Sequence, residues 1–181
     1  MEEVIQRIKR EGIPVEWSDT LHTQALYSNQ QKGYLKKVTW KHSTMPGAGI
    51  GIFAEESLKK GEVLRVMEEG KNAIFFHSEK DIPPLDNSYT RQYLQDNLLQ
   101  LDDILGICIP MTAINHRSTR HNSTLVKISA TVFHNVICED VQAGEEIVNN
   151  YVEYGEPPAW LEMFAKTQNI AMPFKGCNDY V

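Results

Sequence analysis

Three separated segments hold the side chains best suited to chemistry. Asn115-His116 sets a carboxamide beside an imidazole, at the start of a polar loop that ends in Asn122. Taken alone, the pair also describes an ordinary turn with satisfied hydrogen bonds. Gly49-Ile50-Gly51 offers backbone without side chains, which can approach a ligand closely and present bare amides. It is no dinucleotide fingerprint, since the third glycine and the following helix are absent, and a lone Gly-x-Gly equally describes a β-turn or bulge. Tyr151 closes the run Gly144-Glu145-Glu146-Ile147-Val148-Asn149-Asn150 with a phenol; standing alone it would be a core or surface tyrosine.

Other chemistries lack support. His22, His42, His77, His121 and His134 show no His-x-x-x-His spacing, and no Gly-x-Ser-x-Gly is present for a hydrolase. Cys108, Cys138 and Cys177 lie far apart without a Cys-x-x-Cys pair, so neither a zinc cluster nor a disulfide framework is expected. No metal site is expected. Net charge is -6, which argues against direct nucleic-acid binding and is compatible with a cationic, lysine-rich partner. No apolar run approaches a membrane span. The acidic opening Met1-Glu2-Glu3 is unlike a secretory signal, so an intracellular location, nucleus or cytoplasm, is the expectation.

The elements that must position these residues follow from periodicity. Residues 1–12 read as a short helix with Val4, Ile5 and Ile8 on one face, and Ser18 or Asp19 caps a second helix through about Gln31. From Tyr34 onward, short apolar runs punctuated by glycine predict small strands: Leu35 to Trp40, Ile50 to Phe53, Val63 to Val66 and Ala73 to His77. Tyr93, Leu94, Asn97, Leu98 and Leu101 predict a helix over 87–101, although Leu99-Gln100-Leu101 could begin a strand. Strands are expected at Ile104 to Ile109 and Leu125 to Ile137. Pro157-Pro158 opens a final helix whose sticky face is Trp160, Leu161 and Phe164. This order predicts an α+β, mostly β domain. At 181 residues the chain suits one domain.

Taken together, in this order, the three segments resemble the SET-domain methyltransferases, which move a methyl group from S-adenosylmethionine to a lysine amine. Gly49-Ile50-Gly51-Ile52-Phe53-Ala54, followed by Lys60-Gly61-Glu62, resembles the family's Gly-x-Gly-Val-Phe-Ala segment. Asn115-His116 through Asn122 resembles Asn-His-Ser-Cys-x-Pro-Asn, with one residue more between His and Asn, and Thr112-Ala113 replaces the usual Arg-Phe. Glu146-Ile147-Val148-Asn149-Asn150-Tyr151 resembles Glu-Leu-x-Phe-Asp-Tyr, with Asn149 and Asn150 replacing the aromatic and the acid.

The resemblance implies a SET-domain β-clip of small curved sheets with a C-terminal pseudoknot, flanked by N- and C-terminal helices. It implies a helical extension over 1–37, a SET-like domain over 38–155 with a variable insert at 71–105, and a C-terminal helix and tail over 156–181. The zinc-binding tail of some members is missing. Gly49, Ile50, Gly51, Asn115 and His116 would bind S-adenosylmethionine, and Tyr151 would be catalytic. Tyr154, Trp160 and Phe164 would border a substrate channel, with Phe174 and Tyr180 as further lid candidates. The partner implied is a lysine-containing protein or peptide, histone being the family's commonest substrate. A SET-like module that binds without transferring, or an enzyme acting on a small molecule, is the alternative.

Overall fold

The computed structural model describes residues 33–82, 98–101, 104–108, 114–154 and 159–168, with the Tyr154 side chain excepted. The expected helices over 1–12 and 18–31, most of the expected helix over 87–101, Thr112-Ala113, Phe174 and Tyr180 lie outside these residues. The described chain is mostly β, built of two small sheets with one α-helix.

The first two strands form a hairpin, β1 (Val38–His42) and β2 (Ile50–Ala54). The turn signal Met45-Pro46-Gly47 lies between them, and Ser43 N–H donates to Gly49 O at 2.8 Å to close the loop. Next come β3 (Val63–Glu68) and β4 (Ala73–Phe76), then β5 (Leu99–Leu101), β6 (Ile104–Cys108) and β7 (Asn115–His116). The last three are β8 (Ser123–Ser129), β9 (Val132–Ile137) and β10 (Glu146–Asn149). A 3-10 turn, Tyr151–Tyr154, and the helix α1 (Ala159–Gln168) follow. The larger sheet runs β1-β2-β10-β8-β9-β3, with β7 also pairing with β10; the smaller is β4-β6-β5.

Two expectations change. Leu99-Gln100-Leu101, read into a helix, is a strand paired antiparallel with β6 from Leu99 opposite Gly106 to Leu101 opposite Ile104. Partners distant in sequence override the helical spacing there. The single strand expected from Leu125 to Ile137 is a hairpin, β8 on β9. Its turn carries no glycine or proline; Ser129 Oγ instead accepts the Thr131 N–H at 3.2 Å, a hydroxyl-closed turn.

Alternation explains the core. Along β4, neighbouring side chains point to opposite faces of the sheet. Phe75 packs with Met67, Leu101 and Phe133, whereas Phe76 packs with Leu105, Ile107 and the α1 residues Leu161 and Phe164. The small sheet is thus covered on both faces, which is why β6 is buried throughout. The larger sheet's own core gathers Val38, Trp40, Ile52, Leu64, Ile137 and Ile147.

β10 is the organising strand. Ala54 N–H donates to Glu145 O on one edge, and Arg117 N–H to Asn149 O farther along that edge. Asn122 N–H donates to Val148 O on the opposite edge. The strands β7 and β8 both run parallel to β10, so residues 117–122 cross from one edge to the other and β10 is threaded through the loop. Threading is rare among protein connections and matches the pseudoknot that the sequence resemblance implies. Ile147, fully buried and paired with Ile52, anchors this thread. Ile147→Ala is expected to cost about 2–5 kcal/mol, read as a lowered urea midpoint with little change in slope.

Candidate functional site

The three segments singled out in the sequence meet at β10. Glu146 opposes Phe53 and Ile147 opposes Ile52, while Val148 and Asn149 oppose Asn115 and His116. The Gly-x-Gly strand and the Asn-His strand therefore lie end to end along one edge, and Tyr151 follows two residues after β10.

Side chains tie the segments together. Asn115 Nδ2 donates to Ile50 O at 3.1 Å and to Glu146 Oε1 at 3.0 Å. His116, buried, accepts the Tyr151 backbone N–H on Nδ1 at 3.0 Å. The two rings lie 5.1 Å apart between centroids, tilted by 37°. Tyr151 also donates its hydroxyl proton to Ile114 O. That bond uses the donor and leaves oxygen lone pairs that can still accept.

Glu146 is the residue whose role the sequence did not reveal. Its buried carboxylate accepts from Ser43 Oγ at 2.7 Å, from Thr44 N–H at 2.7 Å, from Thr44 Oγ1 and from Asn115 Nδ2. Gly51 passes directly over it: a Cβ there would stand 2.1 Å from Glu146 Oε1. The close approach that Gly51 permits is thus made by a carboxylate of the same chain. At Gly49 the glycine serves differently, since φ is +70° and the space where a Cβ would stand is open.

Burial pushes the Glu146 carboxyl up, but the bonds from Thr44, Ser43 and Asn115 outweigh it and hold the group below its usual value of 4.5. A depressed folded pKa contributes stability above the unfolded value, which disappears as pH falls through the folded one. Wild type should therefore exceed Glu146→Gln in melting temperature at pH 7, and the gap should narrow below about pH 4.5. Thermal melts of both proteins at pH 7 and pH 3 check this. Glu62, Asp81 and Asp140, also held low by hydrogen bonds and an ion pair, titrate in both and cancel in the difference.

A narrow cavity borders Tyr151, lined by Arg65, Met67, Leu99, Ile114, Leu125, Asn135 and Asn149. Its volume of ≈ 10 Å³ is room for about one water. Asn149, where the resemblance has an aromatic residue, accepts from Ser123 Oγ and from Asn135 Nδ2, the latter at 3.3 Å. The smaller side chain is absorbed by this polar network, so the opening it leaves is slight. Arg65 is fully buried, with its guanidinium 4.6 Å from the Tyr34 ring centroid.

No family model matches the chain, and no curated protein does. Among solved structures it is similar to a Plasmodium falciparum protein described as a candidate histone methyltransferase. That match has 21% identity and a TM-score of 0.45, over 64% of this chain and 93% of that one. It is also similar to a humanized mutant of the Chaetomium thermophilum Polycomb Repressive Complex 2 bound to an inhibitor. That match has 18% identity and a TM-score of 0.48, over 75% of this chain and 17% of that one.

Two of the expected channel residues, Trp160 and Phe164, are not gathered at Tyr151. Phe164 is buried among Phe76, Ile82, Leu98, Leu105 and Ile107, and Trp160 packs against the same cluster. Neither lines the Tyr151 cavity, because the apolar face of α1 is taken up by the small sheet. Tyr154 lies in the 3-10 turn after Tyr151, and its side chain is outside the described residues.

Proposed function

We propose that this chain is a SET-type methyltransferase that uses S-adenosylmethionine and methylates lysine side chains of proteins. The reading rests on one observation. Asn115 joins the Gly49–Gly51 segment to β10, and His116 on β7 accepts from Tyr151 in the continuation of β10, so the residues of three distant segments share one place.

The residues present fit the cofactor. Asn115, half-buried, spends both amide hydrogens on Ile50 O and Glu146, which leaves its oxygen to accept from the cofactor's amino-acid half. Gly49 precedes Ile50, whose carbonyl Asn115 binds, and a Cβ on it would meet open space. Together with Ile50, Gly51 and the His116 backbone they would hold the cofactor. When bound, S-adenosylmethionine supplies a methyl group on a positively charged sulfur. The chain's own task is then alignment, with reacting atoms held at about 3–3.5 Å. The Tyr151 oxygen, oriented by Ile114 O, can accept weak CH···O contacts from a polarised methyl group and direct an amine.

The acceptor must enter as a neutral amine. Burial lowers a lysine pKa from about 10.4. Arg65, in the wall of the Tyr151 cavity, acts in the same direction, because a fixed positive charge disfavours an ammonium ion beside it. Lysine-bearing proteins, histones among them, are the substrate class of this reading, and the net charge of -6 favours encounter with basic peptides.

A second reading is favoured by the narrowness of the Tyr151 cavity and by Asn149 and Asn150 at the aromatic and acidic positions. It is a SET-like module that binds without transferring, or one whose acceptor is a small molecule. Calorimetry with S-adenosylmethionine and incubation of labelled cofactor with a lysine-peptide library separate the readings. Heat and labelled peptide are expected. No heat favours the binding module, and heat without labelled peptide favours a small-molecule acceptor.

A further inference from the structure

We propose that Asn135, on β9, is a second acceptor for the incoming amine, taking one of its N–H groups while the Tyr151 oxygen takes the other. This role rests on the amine-acceptor half of the reading above. Asn135 is 1% exposed and lines the Tyr151 cavity. Its Nδ2 donates to Asn149 Oδ1 at 3.3 Å, and its Oδ1 has no hydrogen-bond partner among the described residues. A buried acceptor of this kind is costly unless something donates to it. Oxygen and nitrogen of an asparagine amide are assigned from their neighbours. Arg65 stands opposite Asn135 across β3 and β9 and lines the same cavity. A guanidinium has only donors, which favours the Asn135 oxygen on that side and its nitrogen toward Asn149.

A neutral primary amine suits this pair of oxygens. It carries two N–H donors and one lone pair. Tyr151 spends its own proton on Ile114 O, so toward an amine its oxygen accepts. With one N–H on Tyr151 and the other on Asn135, the amine is held against rotation, and its lone pair is left to face an electrophile. An ammonium ion has a third N–H where the lone pair would be, and the fixed charge of Arg65 opposes it. The cavity volume of ≈ 10 Å³ is room for about one water, which an –NH₂ group matches in size and a guanidinium exceeds.

The test uses the full chain without cofactor and two probes. One is n-butylamine, which has the end of a lysine side chain; the other is n-butanol, of the same length with a single donor. Both are titrated by NMR into wild type and Asn135→Leu at about pH 9, to raise the neutral fraction of an amine whose pKa is about 10.4. Leucine is similar in size to asparagine and has no acceptor. The variant should weaken n-butylamine by about fivefold or more, the effect of leaving one buried N–H unmet, and n-butanol by less than about twofold, since Tyr151 still serves its O–H. In wild type the Asn135 side-chain amide signals should shift as n-butylamine is added, which keeps the test open if Asn135→Leu folds poorly. Equal weakening of both probes, unchanged affinity for n-butylamine, or unmoved Asn135 signals overturns the role of Asn135 and leaves the cofactor reading standing. Absence of S-adenosylmethionine binding, measured separately by calorimetry, overturns the cofactor reading and leaves the amine titration to decide the role of Asn135.

Discussion

Tyr151→Phe should lose transfer activity by about 10²–10³ in kcat while keeping its affinity for S-adenosylmethionine within about threefold. The magnitude is that of removing one preorganised polar group from a site where charge is redistributed in the transition state. The ring would remain against His116, whose centroid is 5.1 Å away, and the backbone N–H bond to His116 Nδ1 does not involve the phenol. On the proposed reading, in which Gly49–Gly51 and Asn115 hold the cofactor, its binding should be untouched. The hydroxyl's bond to Ile114 O is lost, at about 1 kcal/mol of stability. Single-turnover transfer to a labelled lysine peptide, measured beside calorimetry and a thermal melt, tests all three parts. Undiminished transfer by Tyr151→Phe would remove the phenol from the mechanism.

Gly51→Ala should be strongly destabilising for the addition of a single methyl group. Overlap at 2.1 Å must be relieved, and the atom in the way is the end of the Glu146 side chain. Such an end normally swings aside at small cost. Glu146 cannot do so cheaply, because its oxygens hold Ser43, both donors of Thr44, and Asn115. Displacement breaks charge-assisted bonds in a buried place, at about 2–4 kcal/mol, or a melting temperature lower by on the order of 5–15 °C. It also frees Asn115, so S-adenosylmethionine affinity should fall at least tenfold. Gly49→Ala is the control: its added Cβ meets open space, so its cost is the left-handed backbone alone, about 1 kcal/mol. A Gly51→Ala protein as stable as wild type would show that the carboxylate is loosely held.

The contrast between these glycines shows what was legible in the sequence. Short apolar runs separated by Lys60-Gly61 and Pro46-Gly47 announced small strands, and β1 to β4 are where those runs lie. The hairpin turn between β8 and β9 carried no comparable signal, because Ser129 closes it with a hydroxyl. Leu99–Leu101 was ambiguous because three residues show too little periodicity; only β6, beside it in the sheet, decides. At the site, Asn115, His116 and Tyr151 stood out by type and order. Glu146 did not, since a glutamate after Gly144-Glu145 reads as an exposed turn residue. Its burial follows from pairing with Phe53, across 93 residues of sequence. Trp160 and Phe164 were readable as a sticky face, but periodicity names a face and not its partner. The small sheet that receives them is assembled from residues far away.

The loop of residues 117–122 that crosses β10 gives the molecule an order of completion. A chain lengthening from its N-terminus makes the ring before it makes the strand that fills it, so Gly51 and Asn115 wait for Glu146 to arrive. Pairings over such separations close late and slowly. The junction of Gly51, Asn115 and Glu146 is then the last part of the domain to come into being, and a half-made copy lacks the site on which the proposed function depends.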